Sequence, residues 1–262
     1  MPKIAITLPK PSTNPATDTA LYLYAISHAP KQAAPAITAE GIDGSARVDA
    51  IRCGEYLCWV SRVSRQEFGD QLNQRMQDLE WLATSSLRHQ HVVTEISSNT
   101  TTLPARFGTV FLKEASLIKH IKQRERVLRA AFKRVAGADE WGVKVFALAP
   151  ALHVTVAKGA SGAEYLKRKA QLLQPRTRGK SDAELQEFVS SLKKLAVATA
   201  PGGKASAGQP GLLWHGAVLI RRKDRNKLES TLRKYAARWK GARRIDCSGP
   251  WPPYSFVGEH VQ

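Results

Sequence analysis

Three short constellations in this chain carry residue types able to do chemistry. Arg178-Gly-Lys-Ser181 has the look of the end of a phosphate-binding loop, where backbone amides wrap a phosphate and a lysine reaches its oxygens. The glycine such a loop needs five positions before Gly179 is Gln174, and no strand leads in, so the amides have no turn from which to wrap an anion. His89-x-His91 with Glu95 sketches a metal site, but residues two apart on a helix point in different directions, and surface or capping histidines are expected. Asp78 and Glu80 before Trp81 could serve as acid and base; with no pocket implied, a structural role is expected. Cys53, Cys58 and Cys247 show no C-x-x-C spacing, which argues against a disulfide framework and a zinc site and for a reducing compartment. The chain has no G-x-S-x-G elbow, H-E-x-x-H pair or G-x-G-x-x-G loop, so no catalytic residue, cofactor or metal is assigned and an enzyme is not expected.

The elements that would position these residues belong to a folded protein long enough for two domains: 262 residues, 43% apolar. Forty Lys and Arg against 22 Asp and Glu leave a net charge of +18, which calls for an anionic partner such as nucleic acid, a membrane surface or an acidic protein face. Residues 1–138 hold 18 basic and 12 acidic side chains and residues 139–262 hold 22 and 10, so the second half carries most of the field. Met1–Ala20 lacks the apolar core of a signal peptide and no stretch reaches the roughly 20 apolar residues of a span, so a cytoplasmic protein without membrane association is expected.

The spacing of apolar residues predicts an α+β chain of two domains behind a flexible tail, residues 1–19. The first domain covers residues 20–138 and the second residues 139–262. Leu21–Ile26 reads as a strand buried on both faces, Ala46–Cys53 and Tyr56–Val63 as a hairpin. Phe68, Leu72, Met76, Leu79 and Ala83 then set a helical period from Gln66, with a second helix over Ser85–Ser97. Leu103–Phe111 reads as one buried strand entered through Pro104, with Arg106 a charge in a buried segment that requires a partner and Gly108 a bulge or close approach. Glu114–Val135 is the longest predicted helix, closed by Gly137; its Lys and Arg residues read as a solvated face.

From there the predicted order is strand (Trp141–Leu148), helix (Gly162–Leu173, resumed at Asp182–Leu195), strand (Val197–Ala200), strand (Leu212–Arg222), helix (Asn226–Lys240), strand (Arg243–Cys247). This is the β-α-β-β-α-β order of a modified ferredoxin-like domain. Pro175–Lys180 reads as a basic break and Pro201–Pro210 as a loose hairpin loop. In Gly249-Pro-Trp-Pro-Pro-Tyr-Ser-Phe256 three prolines are expected to forbid helix and ladder and to hold a ribbon presenting Trp251, Tyr254 and Phe256.

Six blocks stand in a fixed order: Leu21–Ile26, Asp78-Leu-Glu-Trp-Leu82 with His89, Leu103–Phe111, Glu140-Trp-Gly-Val-Lys-Val145, Gly162-Ala-Glu-Tyr-Leu166 and Gly249–Phe256. Together they resemble the signature blocks of the gas vesicle protein GvpL/GvpF family, over residues 21–257. The resemblance implies a two-domain α+β protein associated with gas vesicles, an accessory factor that contacts the small hydrophobic shell protein GvpA and other accessory proteins. On that reading Trp251, Tyr254 and Phe256, with Arg106 and Phe107, form the expected partner-binding surface; an even reading for the ribbon is that it holds the fold. The alternative is an RNA-binding protein using a ferredoxin-like sheet, which +18 favours. The aromatics do not form the strand signature of an RNA-recognition sheet, so nucleic acid is the lesser expectation.

Overall fold

The computed structural model describes residues 19–30, 34–148, 178–203 and 208–257. The predicted tail apart from Thr19, the Gly162–Leu173 helix, the Gly162–Leu166 block and the start of the basic break lie outside them. The chain divides into two compact units, one running through Arg129 and one beginning at Ala130.

In the first unit β1 (Thr19–His28) is the central strand of a sheet ordered β2-β3-β1-β4, with β5 also on β1. Every residue of β1 between its two ends is buried, as a run without polar alternation requires. Beside it lies the hairpin of β2 (Asp49–Cys53) and β3 (Tyr56–Ser64), in which β3 pairs with β1 and β2 with β3. The predicted Leu103–Phe111 strand is instead two short ones, β4 (Thr102–Pro104) and β5 (Val110–Phe111), both antiparallel to β1. A turn at Arg106–Thr109 separates them, closed by Thr109 N and Oγ1 donating to Arg106 O at 3.2 and 2.8 Å. Gly108 stands in that turn at φ +83, which a side chain would strain. Arg106 is therefore exposed at a turn, not lodged in a buried strand.

The helical breaks also fall elsewhere than the period suggests. After α1 (Leu72–Arg75), one 21-residue helix, α2 (Leu79–Asn99), replaces the predicted pair, because Asp78 is its N-cap: Oδ1 accepts from Glu80 N at 3.0 Å and Trp81 N at 3.1 Å. Leu79, expected on the apolar stripe, is the first residue past that cap and is 80% exposed. The predicted Glu114–Val135 helix is interrupted at Arg124 into α3 (Glu114–Gln123) and α4 (Glu125–Val135), where the Arg124 N–H bonds back three residues to Ile121 O. No proline or glycine announces that break.

α2 buries Ser85, His89, Val92, Val93 and Ile96. The expectation of a surface His89 is corrected: the residue is 4% exposed, with Nδ1 2.9 Å from Tyr22 Oη. Tyr22 Oη accepts from Gly108 N at 3.1 Å, so its own proton is available to His89 Nδ1. The Tyr22 ring packs on Tyr24, Phe68 and Phe107, and Tyr24 Oη both donates to Ser61 Oγ at 3.0 Å and accepts from Ile42 N at 2.7 Å. Burial pushes the His89 imidazole down to about 4.

The second unit is built on a four-stranded antiparallel sheet ordered β7-β8-β6-β9. Its strands are β6 (Ala138–Ala147), β7 (Ala198–Pro201), β8 (Leu212–Arg221) and β9 (Arg243–Trp251). α5 (Arg178–Leu195) precedes β7 and α6 (Arg225–Arg238) precedes β9. Side chains alternate along a strand, and Trp141, Val143 and Val145 pack with Phe188 of α5 and Tyr235 of α6, so both helices cover one face. Phe188, Tyr235 and Trp239 close that core with ring centroids 5.0–5.3 Å apart.

The expectation that the three terminal prolines forbid a ladder is corrected. β9 continues to Trp251, which pairs with Glu140 after a register shift between Glu140 and Gly142. β9 is an edge strand, so Pro250, lacking an N–H, costs no bond to a further neighbour there. Tyr254–Phe256 then makes a 3₁₀ turn. Glu140 holds it: Ser255 N donates to Oε2 at 2.8 Å and Ser255 Oγ to Oε1 at 2.6 Å. At Gly249, φ +136, a Cβ would come within 2.8 Å of Glu140 O and 3.0 Å of the Trp141 ring, so only glycine fits.

Two outcomes follow from these contacts. Between about pH 6.5 and pH 4 the unfolded chain takes up a proton at His89 that the native state refuses, so stability falls as pH falls through that window, by about 3 kcal/mol in total, and is untouched above it. Hydrogen exchange of β1 amides against pH will show this slope, and His89→Leu, whatever its own stability, will lack it. Glu140→Ala leaves the Ser255 N–H without its acceptor at a cost of about 1–3 kcal/mol, and chymotrypsin will cut at Tyr254 and Phe256 faster than in wild type. Glu140→Gln, retaining one carbonyl acceptor, will fall between the two.

Candidate interaction surface

The face of the second sheet turned away from α5 and α6 carries Glu140, Gly142 and Lys144 of β6. Directly opposed ladder partners share a face, which adds Leu219, Ala217 and His215 of β8 and Ser248 and Asp246 of β9. The turn at Tyr254–Phe256 packs against β7, the edge strand opposite β9, so the terminal segment crosses this face at one end. There Glu140 is 8% and Leu219 0% exposed. From the Glu140–Ser255 contact outward opens a cleft of about 370 Å³ whose lining also includes Gly142, Lys144, Gly202, His215, Ser248 and Trp251. Gly142 and Ala217 floor it with almost no side chain, leaving room for an inserted group.

Electrostatically the cleft is mixed. Burial raises the Glu140 carboxyl above its ordinary range, while the two Ser255 hydrogen bonds act the other way. Lys144 Nζ reaches Gln209 Oε1 at 3.4 Å on the open side. Trp251 stands on the rim, 41% exposed, its indole N–H donated to Ser248 Oγ at 3.2 Å. Its polar edge is thus satisfied within the protein, and its apolar face is what it offers.

The five residues singled out from sequence meet different fates. Trp251 is the exposed aromatic of the terminal segment; Tyr254 is half-buried, its hydroxyl raised by burial and by the Glu140 charge; Phe256 is 3% exposed and belongs to the core. Arg106 and Phe107 lie in the first unit. Phe107 is half-buried against Tyr22, Trp81 and His89, with centroids 5.9–6.2 Å apart, and Arg106 is exposed at the turn beside it. Sequence reasoning passed over Glu140 and Ser255, which decide what the terminal segment exposes. The one available signal was an acidic residue directly before Trp141 inside an apolar alternation.

The other chemical candidates are occupied by structure. Glu95 accepts from Thr38 N and Ala39 N, both at 2.8 Å, while His89 turns inward and His91 outward. Among the described residues no cluster of three or more His, Cys, Asp or Glu is arranged to hold a metal, and no helix is long and apolar enough to cross a membrane.

Comparison with known proteins gives a consistent result. The profile of the family described as "Gas vesicle synthesis protein GvpL/GvpF" matches residues 20–258. The chain is 28% identical over 258 residues to gas vesicle protein L of Streptomyces sp. (strain CB03234), covering 92% of this chain and 94% of that protein. Its fold is similar to the crystal structure of gas vesicle protein GvpF from Anabaena sp. PCC7120, with a TM-score of 0.68, 19% identity, and coverage of 92% of this chain and 96% of that one. It is likewise similar to GvpF from Microcystis aeruginosa, with a TM-score of 0.65 at 19% identity over 91% and 99% of the two chains. With a family profile spanning nearly its whole length, the chain belongs to the gas vesicle synthesis protein GvpL/GvpF family.

Proposed function

We propose that this chain is an accessory factor of gas vesicle assembly that binds the small hydrophobic shell protein GvpA and, through its basic surface, other accessory proteins. Family membership supports the vesicle-related part. The observation that carries the shell-binding part is an exposed Trp251 fixed at the rim of an open sheet face by a bonded Glu140–Ser255 clasp. A subunit that assembles into a water-excluding wall carries apolar surface that aggregates unless covered beforehand. A rigid aromatic beside a small-residue cleft offers such cover at little ordering cost. The order β9-β6-β8-β7 with two helices on one face supports reading the second unit as a modified ferredoxin-like domain, whose uncovered face is then the docking side.

The net charge of +18 supports an electrostatic contribution to association with acidic partners. The same charge favours the alternative reading, RNA on the open sheet face, and the two differ in what they retain.

The test is a pull-down of the tagged full chain co-expressed with GvpA, in nuclease-treated lysate at low and at high salt. Shell protein is expected at both salts. Trp251→Ala will weaken its capture by about 2 kcal/mol, roughly thirtyfold in affinity, without changing the protein's thermal unfolding. Absence of shell protein, together with nucleic acid in the untreated control and a steep log-linear loss with salt, would replace this reading by the RNA one.

A further inference from the structure

Two thiols in the first unit face each other and take no part in the surface described above. Cys53 ends β2 and pairs with Tyr56 across the hairpin turn; Cys58 lies two residues further along β3. Side chains two apart on a strand share a face, so Cys53 and Cys58 occupy the diagonal of the hairpin on one side of the sheet. Their sulfurs are 3.6 Å apart, with the Cys58 S–H donating to Cys53 Sγ. Both residues are removed from water, at 3% and 0% exposure, yet β2 is an edge strand and the adjoining turn residues Gly54 and Glu55 are exposed. Fraying of the last ladder pair brings Cys53 to solvent while Cys58 stays within reach.

The two thiols are also unlike. The Cys58 hydrogen bond holds the Cys53 thiol below its ordinary range against the opposing effect of burial; Glu114 opposes and Lys122 adds to the lowering, both from α3, which packs on β2. The same hydrogen bond, and then burial, push the Cys58 thiol far up. Cys53, at the end of the edge strand, is the thiol a small oxidant reaches first, and Cys58, its sulfur 3.6 Å away, is the one placed to resolve.

We propose that Cys53 and Cys58 form an oxidation site at which a peroxide converts the pair into a reversible disulfide that staples edge strand β2 to β3. The Cys53 thiolate attacks one peroxide oxygen, the O–O bond breaks, and the departing hydroxide takes up the thiol's proton to leave as water, giving a sulfenic acid on Cys53. Cys58 sulfur then attacks the Cys53 sulfur, the S–O bond breaks, and the hydroxide leaves with the Cys58 proton as a second water. The two thiols lose two electrons and the peroxide gains them. Closing the sulfurs from 3.6 Å to about 2 Å falls on β2, which is paired on one side only. Cys247 lies in the second unit and is exposed on β9, so it serves as the control thiol that the alkylating reagent reaches.

The test treats the reduced full chain with hydrogen peroxide, traps remaining thiols with N-ethylmaleimide in denaturant, and maps tryptic peptides. The expected result is a Cys53–Arg62 peptide lighter by two hydrogens and unalkylated, an alkylated Cys247, and hydrogen exchange of β2 amides slowed by about tenfold until dithiothreitol restores it. In Cys58→Ser, oxidation is expected to stop at a sulfenic acid on Cys53 that dimedone captures. Alkylation of both Cys53 and Cys58 after peroxide treatment would overturn the proposal, as would a disulfide formed only through Cys247. If Cys58→Ser does not fold, the wild-type peptide map decides alone.

Discussion

A carboxylate taken out of water must be given donors, and Glu140 receives two from a residue 115 positions away, the backbone and side chain of Ser255. Much of the shape of the second unit's open face follows from this constraint. Ser255 tied to β6 sends the terminal segment across the sheet, which covers Leu219 and sinks Phe256 while leaving Trp251 on the rim. Gly249 and Gly142 belong to the same arrangement: one admits the Glu140 carbonyl and Trp141 ring, and the other lies where a Cβ would be 3.0 Å from Ser248 Oγ. The clasp acts together with the burial of Pro252, Pro253, Phe256 and Val257 and with the Arg134 Nη1 bond to Phe256 O at 3.4 Å.

The first unit is arranged around a comparable satisfied polar group. Tyr22 Oη links the Gly108 turn to His89 of α2, so the sheet, the turn between β4 and β5 and the long helix meet at one oxygen. The aromatic cage of Tyr22, Phe68, Trp81 and Phe107 encloses that point, and the burial that keeps His89 neutral is the same burial that fixes Phe107. For Phe107 this makes a fold-holding role the natural one, while Arg106 stands exposed at the turn beside it.

Much of this was legible in the residues. The uninterrupted apolar run of β1, the hairpin at Gly54-Glu55 and the strand and helix order of the second half declare themselves through periodicity and turn chemistry. What periodicity did not show were features decided by tertiary contact. A register shift let β9 run through Pro250; an Asp78 cap moved a helix start; a turn stabilised by Tyr22 cut one expected strand in two. His89 illustrates the limit: its spacing from His91 excluded a shared metal, but only the fold supplies the tyrosine that makes burial of an imidazole tolerable. Of the candidate surface, the ribbon's aromatics could be named from sequence, but not which of them would face water, because that depends on the distant carboxylate of Glu140.

On the proposed reading, the clasped terminal segment and the open sheet face beside it form the surface offered to the shell protein. Hydrogen exchange of the full chain with and without GvpA measures this most directly. Slowed exchange is expected at residues 246–251 of β9 and around Lys144 and His215, with the β1 amides unchanged. Slowed exchange confined to the first unit, with the terminal segment exchanging as it does in the free protein, would contradict it.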